Sequence, residues 1–255
     1  MMRCYLRIAR LLGVLGLGVV LGAWVALLER LPGYDWTFLR QGLTRWWLAR
    51  LRRALPFRIR VHGELPGETA LWVSNHVSWV DIPLLGALAP MTFLSKAEVR
   101  QWPVAGWLAE KAGTLFIRRG SGDSANLGQQ IAGALMMGRS TLIFPEGTTT
   151  DGSGLRTFHG RLLSGAIDAG VPLQPVALRY LRNGEPCNLA PFIGDDDLLS
   201  HLLRLFRNDR GTVEIHLLEP LPSFGRSRAQ LAQQARAAIG QVIYGEVAQP
   251  LEMAA

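Results

Sequence analysis

His76 and Asp81 stand five residues apart in Asn75-His76-Val77-Ser78-Trp79-Val80-Asp81. Histidine is the side chain whose ordinary titration suits proton abstraction near neutrality. A carboxylate that reaches its second ring nitrogen fixes the tautomer and stabilises the imidazolium that forms. On a continuous helix, residues five apart point about 140° from each other, so the two meet only if the backbone bends between them. The flanking residues predict that bend. Ala70-Leu71-Trp72-Val73-Ser74 has the apolar run of a short buried strand, and Asp81-Ile82-Pro83-Leu84-Leu85 reads as a helix start with Asp81 as cap. His76 then lies in the loop at the carboxyl end of a strand, where open α/β sheets gather ligands.

Two further strand ends carry groups suited to chemistry. Phe116-Ile117-Arg118-Arg119-Gly120 offers guanidinium forks that match phosphate. Phe144-Pro145-Glu146-Gly147-Thr148-Thr149-Thr150 offers a carboxylate, hydroxyls and a glycine that permits close backbone approach. Each segment alone has an ordinary reading as a turn or a solvated loop. Together they supply a base, its orienting carboxylate, an anion site and a flexible loop.

The elements that must hold these groups read as one pattern. Short apolar runs near residues 58–62, 70–74, 114–117, 141–144, 173–178 and 213–218 alternate with helical stretches near 125–138, 157–169 and 226–243. The stretch at 157–169 closes on Gly170. Strands alternating with helices predict an α/β fold with a mixed, mostly parallel sheet covered by helices.

The amino-terminal fifth differs. Residues 11–28 are apolar and uncharged, at the short end of what spans a bilayer. Ala23-Trp24-Val25-Ala26 is a poor cleavage site, which favours a retained membrane helix over a signal peptide. Gly16, Gly18 and Gly22 miss a dinucleotide fingerprint by one position and follow no strand; Gly18 and Gly22 suit close helix approach instead. Residues 35–54 pair Trp36, Phe38, Leu39, Leu43, Trp46, Trp47 and Leu51 with Arg40, Arg45, Arg50, Arg52 and Arg53, as an interfacial amphipathic helix does. The expected division is an anchor at 1–54 and a catalytic domain at 55–255.

The net charge is +7, and the only lysines are Lys96 and Lys111. Because arginines concentrate beside the apolar run, anionic lipid explains the charge better than nucleic acid. Cys4 and Cys187 form no disulfide framework or metal pattern. Asp195-Asp196-Asp197 reads as a helix start, His62, His159, His201 and His216 read as structural, and no metal is expected.

The ordered set Asn75-His76-x-Ser78-x-x-Asp81, Phe116-Ile117-Arg118-Arg119, Phe144-Pro145-Glu146-Gly147-Thr148 and Val171-Pro172-Leu173-Gln174-Pro175-Val176 resembles the four blocks of the glycerolipid acyltransferase family, most closely its bacterial 1-acyl-sn-glycerol-3-phosphate acyltransferases. The resemblance covers about residues 60–220. It implies that His76 is a general base taking the proton of an acceptor hydroxyl, with Asp81 orienting it. It implies that Arg119, Glu146, Gly147 and Thr148 hold the acceptor phosphate, with Asn75, Ser78, Lys96 and Arg118 in support. Residues 171–176 would pack and support the acyl donor. The donor would be acyl-CoA or acyl carrier protein, with no bound cofactor, and the acceptor a membrane lipid. The implied product is phosphatidic acid, made at the cytoplasmic face of a bacterial inner membrane.

One position departs from that family. Many members carry arginine after Phe-Pro-Glu-Gly-Thr, where this chain has Thr149. Loss of a planar, permanently charged ligand is not conservative. Arg118, Lys96 and Arg156 are candidates to replace it; otherwise the acceptor lacks a phosphate, as lyso-ornithine lipid does. A thioester or ester hydrolase is the third reading, weakened by the lack of a Gly-x-Ser-x-Gly elbow.

Overall fold

The computed structural model describes residues 2–117 and 124–245. Its chain order is α1 (Met2–Leu28), α2 (Thr37–Ala54), β1 (Phe57–His62), β2 (Leu71–Ser74), α3 (Asp81–Gly86), β3 (Thr92–Lys96), α4 (Ala105–Lys111), β4 (Leu115–Ile117), α5 (Ser124–Met136), β5 (Thr141–Ile143), α6 (Ser164–Ala169), β6 (Leu173–Arg182), β7 (Glu185–Pro186), α7 (Leu198–Arg207), β8 (Gly211–Leu217) and α8 (Arg228–Tyr244). The strands lie in the order β1-β8-β6-β2-β5-β3-β4, with β7 paired to β6. All neighbours on that path are parallel except β6 and β8. The sheet is therefore mixed and mostly parallel, as its strand and helix pattern predicts.

Helices cover both faces, which is why the central strands are apolar throughout rather than alternating. Trp72, Leu142, Val176, Leu178 and Tyr180 face a core shared with α1, α2, α3 and α7. Leu71, Val73, Ile143, Leu173 and Ala177 face the other core, shared with α5, α6 and α8. β2 is central, with β5 on one side and β6 on the other, in registers Val73 to Ile143 and Ser74 to Val176. That adjacency brings the loops after β2 and β5 together beside the upper half of β6.

α1 packs along the body rather than standing away from it. Leu11, Gly18 and Val25, seven residues apart, are its buried stripe. Gly18 accepts the Trp47 ring, where an added Cβ would lie 2.6 Å away, and Gly22 accepts Trp107 at 2.8 Å. The small residues thus serve helix packing within the chain. Trp47 Nε1 donates to the Val14 carbonyl (2.7 Å), and Arg7 donates to the Phe206 and Asn208 carbonyls. The outer face of α1 leaves Leu6, Leu12, Val20, Trp24 and Leu27 exposed.

Two local expectations change. The helix expected at 157–169 is a 3-10 turn at Gly160–Leu163 followed by the short α6, which Gly170 ends with φ +67°. Residues 157–159 are not helical, and His159 is extended, its N–H donating to the Pro145 carbonyl (2.9 Å). Asp81 is the first residue of α3, not its cap, because its carboxylate turns back to the preceding loop. Asp197 does cap α7, accepting from Leu199 and Ser200, and Asp196 pairs with Arg204 at 2.7 Å.

Candidate active site

His76 sits in the loop after β2 with its Nδ1 2.8 Å from Asp81 Oδ2. The same oxygen accepts the backbone N–H groups of Val77 (2.8 Å) and Ser78 (3.0 Å), so the carboxylate itself shapes the bend that joins the pair. The other oxygen, Oδ1, accepts the Tyr180 hydroxyl. Asp81 is fully buried. A buried carboxylate needs such donors, because an unpaired charge out of water is costly. The Tyr180 hydroxyl lies well above its ordinary range through burial, reinforced by the adjacent Asp81 charge. It therefore stays protonated and donates.

With Nδ1 engaged, Nε2 is the imidazole atom left for a ligand. The His76 ring stacks on Phe144, with centroids 3.9 Å apart and planes 12° from parallel. Its side chain keeps some exposure toward a cavity of about 1600 Å³ at the carboxyl ends of the strands. Trp79, Ile82 and Phe192 line that cavity, as do Lys96, Gly147, Thr148 and Thr149.

Glu146 has a different part from the one its motif implies. Its Oε1 accepts the His76 backbone N–H and its Oε2 the Arg156 N–H, both at 2.8 Å. The residue is buried and does not line the cavity, so it ties the His76 loop to the loop after β5. Burial pushes its carboxyl above the ordinary value, and the two N–H groups oppose that shift. The Gly147 N–H closes the turn onto the Phe144 carbonyl (3.0 Å), with Gly147 at φ +70°, a conformation glycine adopts without strain.

Asn75 and Ser78 support the loop. The Asn75 amide bonds both ways with the Leu178 backbone, at 2.8 and 3.0 Å, and locks the loop to β6. Ser78 acts through its N–H; its buried hydroxyl has no hydrogen-bond partner among the described residues. Lys96 lines the cavity from the end of β3. Arg118 and Arg119 lie outside the described residues.

Thr149 and residues outside the motifs complete the setting. Thr149 donates its hydroxyl to the Phe192 carbonyl, and Phe192 N–H donates to Val77 O (2.9 Å). Trp79 Nε1 donates to His201 Nδ1 (3.0 Å), which leaves Nε2–H for the Ala190 carbonyl (3.1 Å). Burial lowers the His201 pKa, and neighbouring Arg204 adds to the effect. His159, expected to be structural only, lines the cavity as well. Tyr180, the donor to Asp81, had a trace in sequence: Val176, Leu178 and Tyr180 alternate onto one face of β6.

Comparison with known proteins identifies the family. Residues 58–179 match the family model described as Acyltransferase. A lyso-ornithine lipid O-acyltransferase of Pseudomonas aeruginosa is 66% identical over 247 residues, covering 97% of this chain and 96% of that protein. The chain belongs to the acyltransferase family. A lyso-ornithine lipid O-acyltransferase of Brucella abortus is 35% identical, over 83% of this chain and 87% of its own. A 1-acyl-sn-glycerol-3-phosphate acyltransferase of Neisseria gonorrhoeae is 36% identical over 57% of each chain. The crystal structure of the acyltransferase PlsC from Thermotoga maritima shares the fold, with TM-score 0.69 at 20% identity over 97% of this chain and 99% of that one. His76, Asp81 and the loop after β5 lie within or beside the matched span's strand ends, where the four blocks place them.

Proposed function

We propose that the protein transfers a fatty acyl group from a thioester donor to the free hydroxyl of a lyso-ornithine lipid. The observation that carries the headgroup is Thr149. It lines the cavity where many family members have arginine, and its hydroxyl is bound to the Phe192 carbonyl instead of presenting charge. The likeness over nearly the whole chain to a lyso-ornithine lipid O-acyltransferase supports the same acceptor. Phosphatidic acid synthesis, the first expectation from the motifs, becomes the second reading.

In the transfer, the acceptor O–H donates to His76 Nε2. As its oxygen attacks the thioester carbonyl carbon, the proton passes to the ring, and Asp81 stabilises the imidazolium through Nδ1–H. The carbon–sulfur bond then breaks, and the ring returns the proton to the departing thiolate. Ester and free thiol result, with no acyl-enzyme. General base catalysis of this kind contributes about 10²–10⁴-fold, and positioning of the two substrates supplies much of the remainder. The donor is acyl-CoA or acyl carrier protein.

The exposed apolar side of α1, with Phe38 and Trp46 of α2, would enter the membrane surface. Contacts along the length of α1 favour insertion from one side while the body stays attached. An inner membrane, with the cavity toward the cytoplasm, suits both substrates.

The test is acyl transfer by the detergent-solubilised protein with lyso-ornithine lipid and lysophosphatidic acid offered separately. Each acceptor is run with acyl-CoA and with acyl carrier protein, and His76→Ala runs beside the wild type. Preference for lyso-ornithine lipid, lost in the variant, is the expected result. Preference for lysophosphatidic acid would remove the headgroup assignment, and thioester loss without an acylated lipid would make the protein a hydrolase.

A further inference from the structure

The cavity that His76 faces has two chemically different sides. Trp79 and Ile82 belong to the core shared with α1 and α2, the helices that carry the exposed apolar surface. Arg161, Arg228 and Arg236 come from the opposite face of the sheet, on the 3-10 turn at Gly160–Leu163 and on α8. Glu98 is the one carboxylate among the described lining residues, so the α8 side carries an excess of positive charge.

The three arginines divide by their partners. Arg236 Nε and Nη2 donate to the Arg156 and Leu155 carbonyls (3.0 and 2.8 Å), so it braces the loop that Glu146 ties to His76. Arg161 and Arg228 are exposed and enter no ion pair with a described residue. Their backbones are adjacent. A Cβ on Gly160 would lie 2.8 Å from the Arg228 carbonyl oxygen, so Arg161 follows directly on a point of contact with the start of α8.

A lipid acceptor arrives from the membrane, whereas an acyl thioester donor is water-soluble. The face opposite α1 and α2 is where such a donor can enter. Coenzyme A and acyl carrier protein both present the thioester at the end of a pantetheine arm that begins at a phosphate. Arginine forks bind phosphate through paired, charge-assisted hydrogen bonds. Arginine forks match carboxylate as well, and ornithine carries one, so acceptor KM is read beside donor KM.

On the acyl-transfer reading given above, we infer that Arg161 and Arg228 form the binding site for the phosphate of the acyl donor's pantetheine arm. The acceptor then occupies the Trp79 and Thr149 side, and the two substrates meet at His76 from opposite faces of the sheet.

The experiment compares three donors of one chain length: acyl-CoA, acyl carrier protein and the phosphate-free S-acyl pantetheine. Each is assayed with the wild type, Arg161→Gln, Arg228→Gln and the double variant of the full chain in detergent. The expected result is a fall of about tenfold per arginine in the kcat/KM ratio of phosphate-bearing to phosphate-free donor, carried by donor KM. Arg161→Lys and Arg228→Lys should recover part of it. Equal losses with acyl-CoA and acyl carrier protein assign the arginines to the shared phosphate; a larger loss with acyl-CoA extends the site to its nucleotide phosphates. An unchanged ratio, or a rise in acceptor KM instead, overturns the inference. Absence of transfer from every donor by the wild type would refute the enzymatic reading itself, a result distinct from an unchanged ratio.

Discussion

Glu146→Gln separates a residue that binds the acceptor from one that holds the catalytic loop. Each carboxylate oxygen accepts one backbone N–H at 2.8 Å, from His76 and from Arg156. A glutamine presents one oxygen and one NH₂, so one of the two N–H groups meets a donor. The lost bond is charge-assisted, and its removal costs about 1.5–3 kcal/mol. For a chain of this size each kcal/mol is about 2–4 °C, so the melting temperature in detergent should fall by roughly 3–12 °C. Where the amide keeps its oxygen on Arg156, the His76 N–H loses its anchor. A displacement of about 1 Å at a reacting group costs ~10²-fold in rate, so kcat should fall by about that factor. The acceptor KM should move little. There is also a pH signature. Burial holds the Glu146 carboxyl above its ordinary 4.5, so the folded chain binds this proton more tightly than the unfolded one. Its contribution to stability therefore falls as pH rises from 4.5 through the raised value, and the glutamine variant lacks that fall. Melting curves across pH and initial rates at several acceptor concentrations read all three quantities. A normal melting temperature and kcat with a raised acceptor KM would refute the reasoning and return Glu146 to the headgroup.

Tyr180→Phe removes the donor to Asp81 Oδ1 and leaves a buried anionic oxygen unpaired, which should cost about 1.5–3 kcal/mol by denaturant titration, with kcat reduced and acceptor KM little changed; a variant as stable and active as wild type would mean that the hydroxyl contributes nothing. Thr149→Arg should raise the ratio of lysophosphatidic acid to lyso-ornithine lipid turnover by about tenfold, the worth of one charge-assisted contact; a lower ratio would place the headgroup elsewhere. His201, whose pKa burial depresses, should make the fold less stable as pH falls from 6.5 through the lowered value, because its imidazole must take up a proton in a dry site. In His201→Gln that part of the acid destabilisation should be missing from melts taken below pH 6.5, and an unaltered slope would exclude His201 as its source.

Local chemistry was legible in the chain. The His76–Asp81 spacing, the apolar run of β2 and the helix beginning at Asp81 required a bend, and strand length and composition told the sheet from the helices. The apolar run of α1 and the arginine-rich α2 were equally plain, since burial on both sheet faces and an apolar outer surface leave compositional traces. The turn at 157–163 was not, because a tertiary hydrogen bond from His159 to Pro145 outweighs its weak helical pattern.

The partners of His76 and Asp81 were decided by the sheet. Tyr180 lies 99 residues from Asp81, and Glu146 lies 70 from His76; they meet because β6 and β5 flank β2. Sequence names a carboxylate and a tyrosine but cannot tell which strand neighbours which. Only the tertiary structure turns Glu146 inward as a tie between loops, and only it brings the turn that carries Arg161 against the start of α8 at Arg228. Hydrogen bonds reach about 3 Å, so roles that depend on them follow strand order and register rather than distance along the chain.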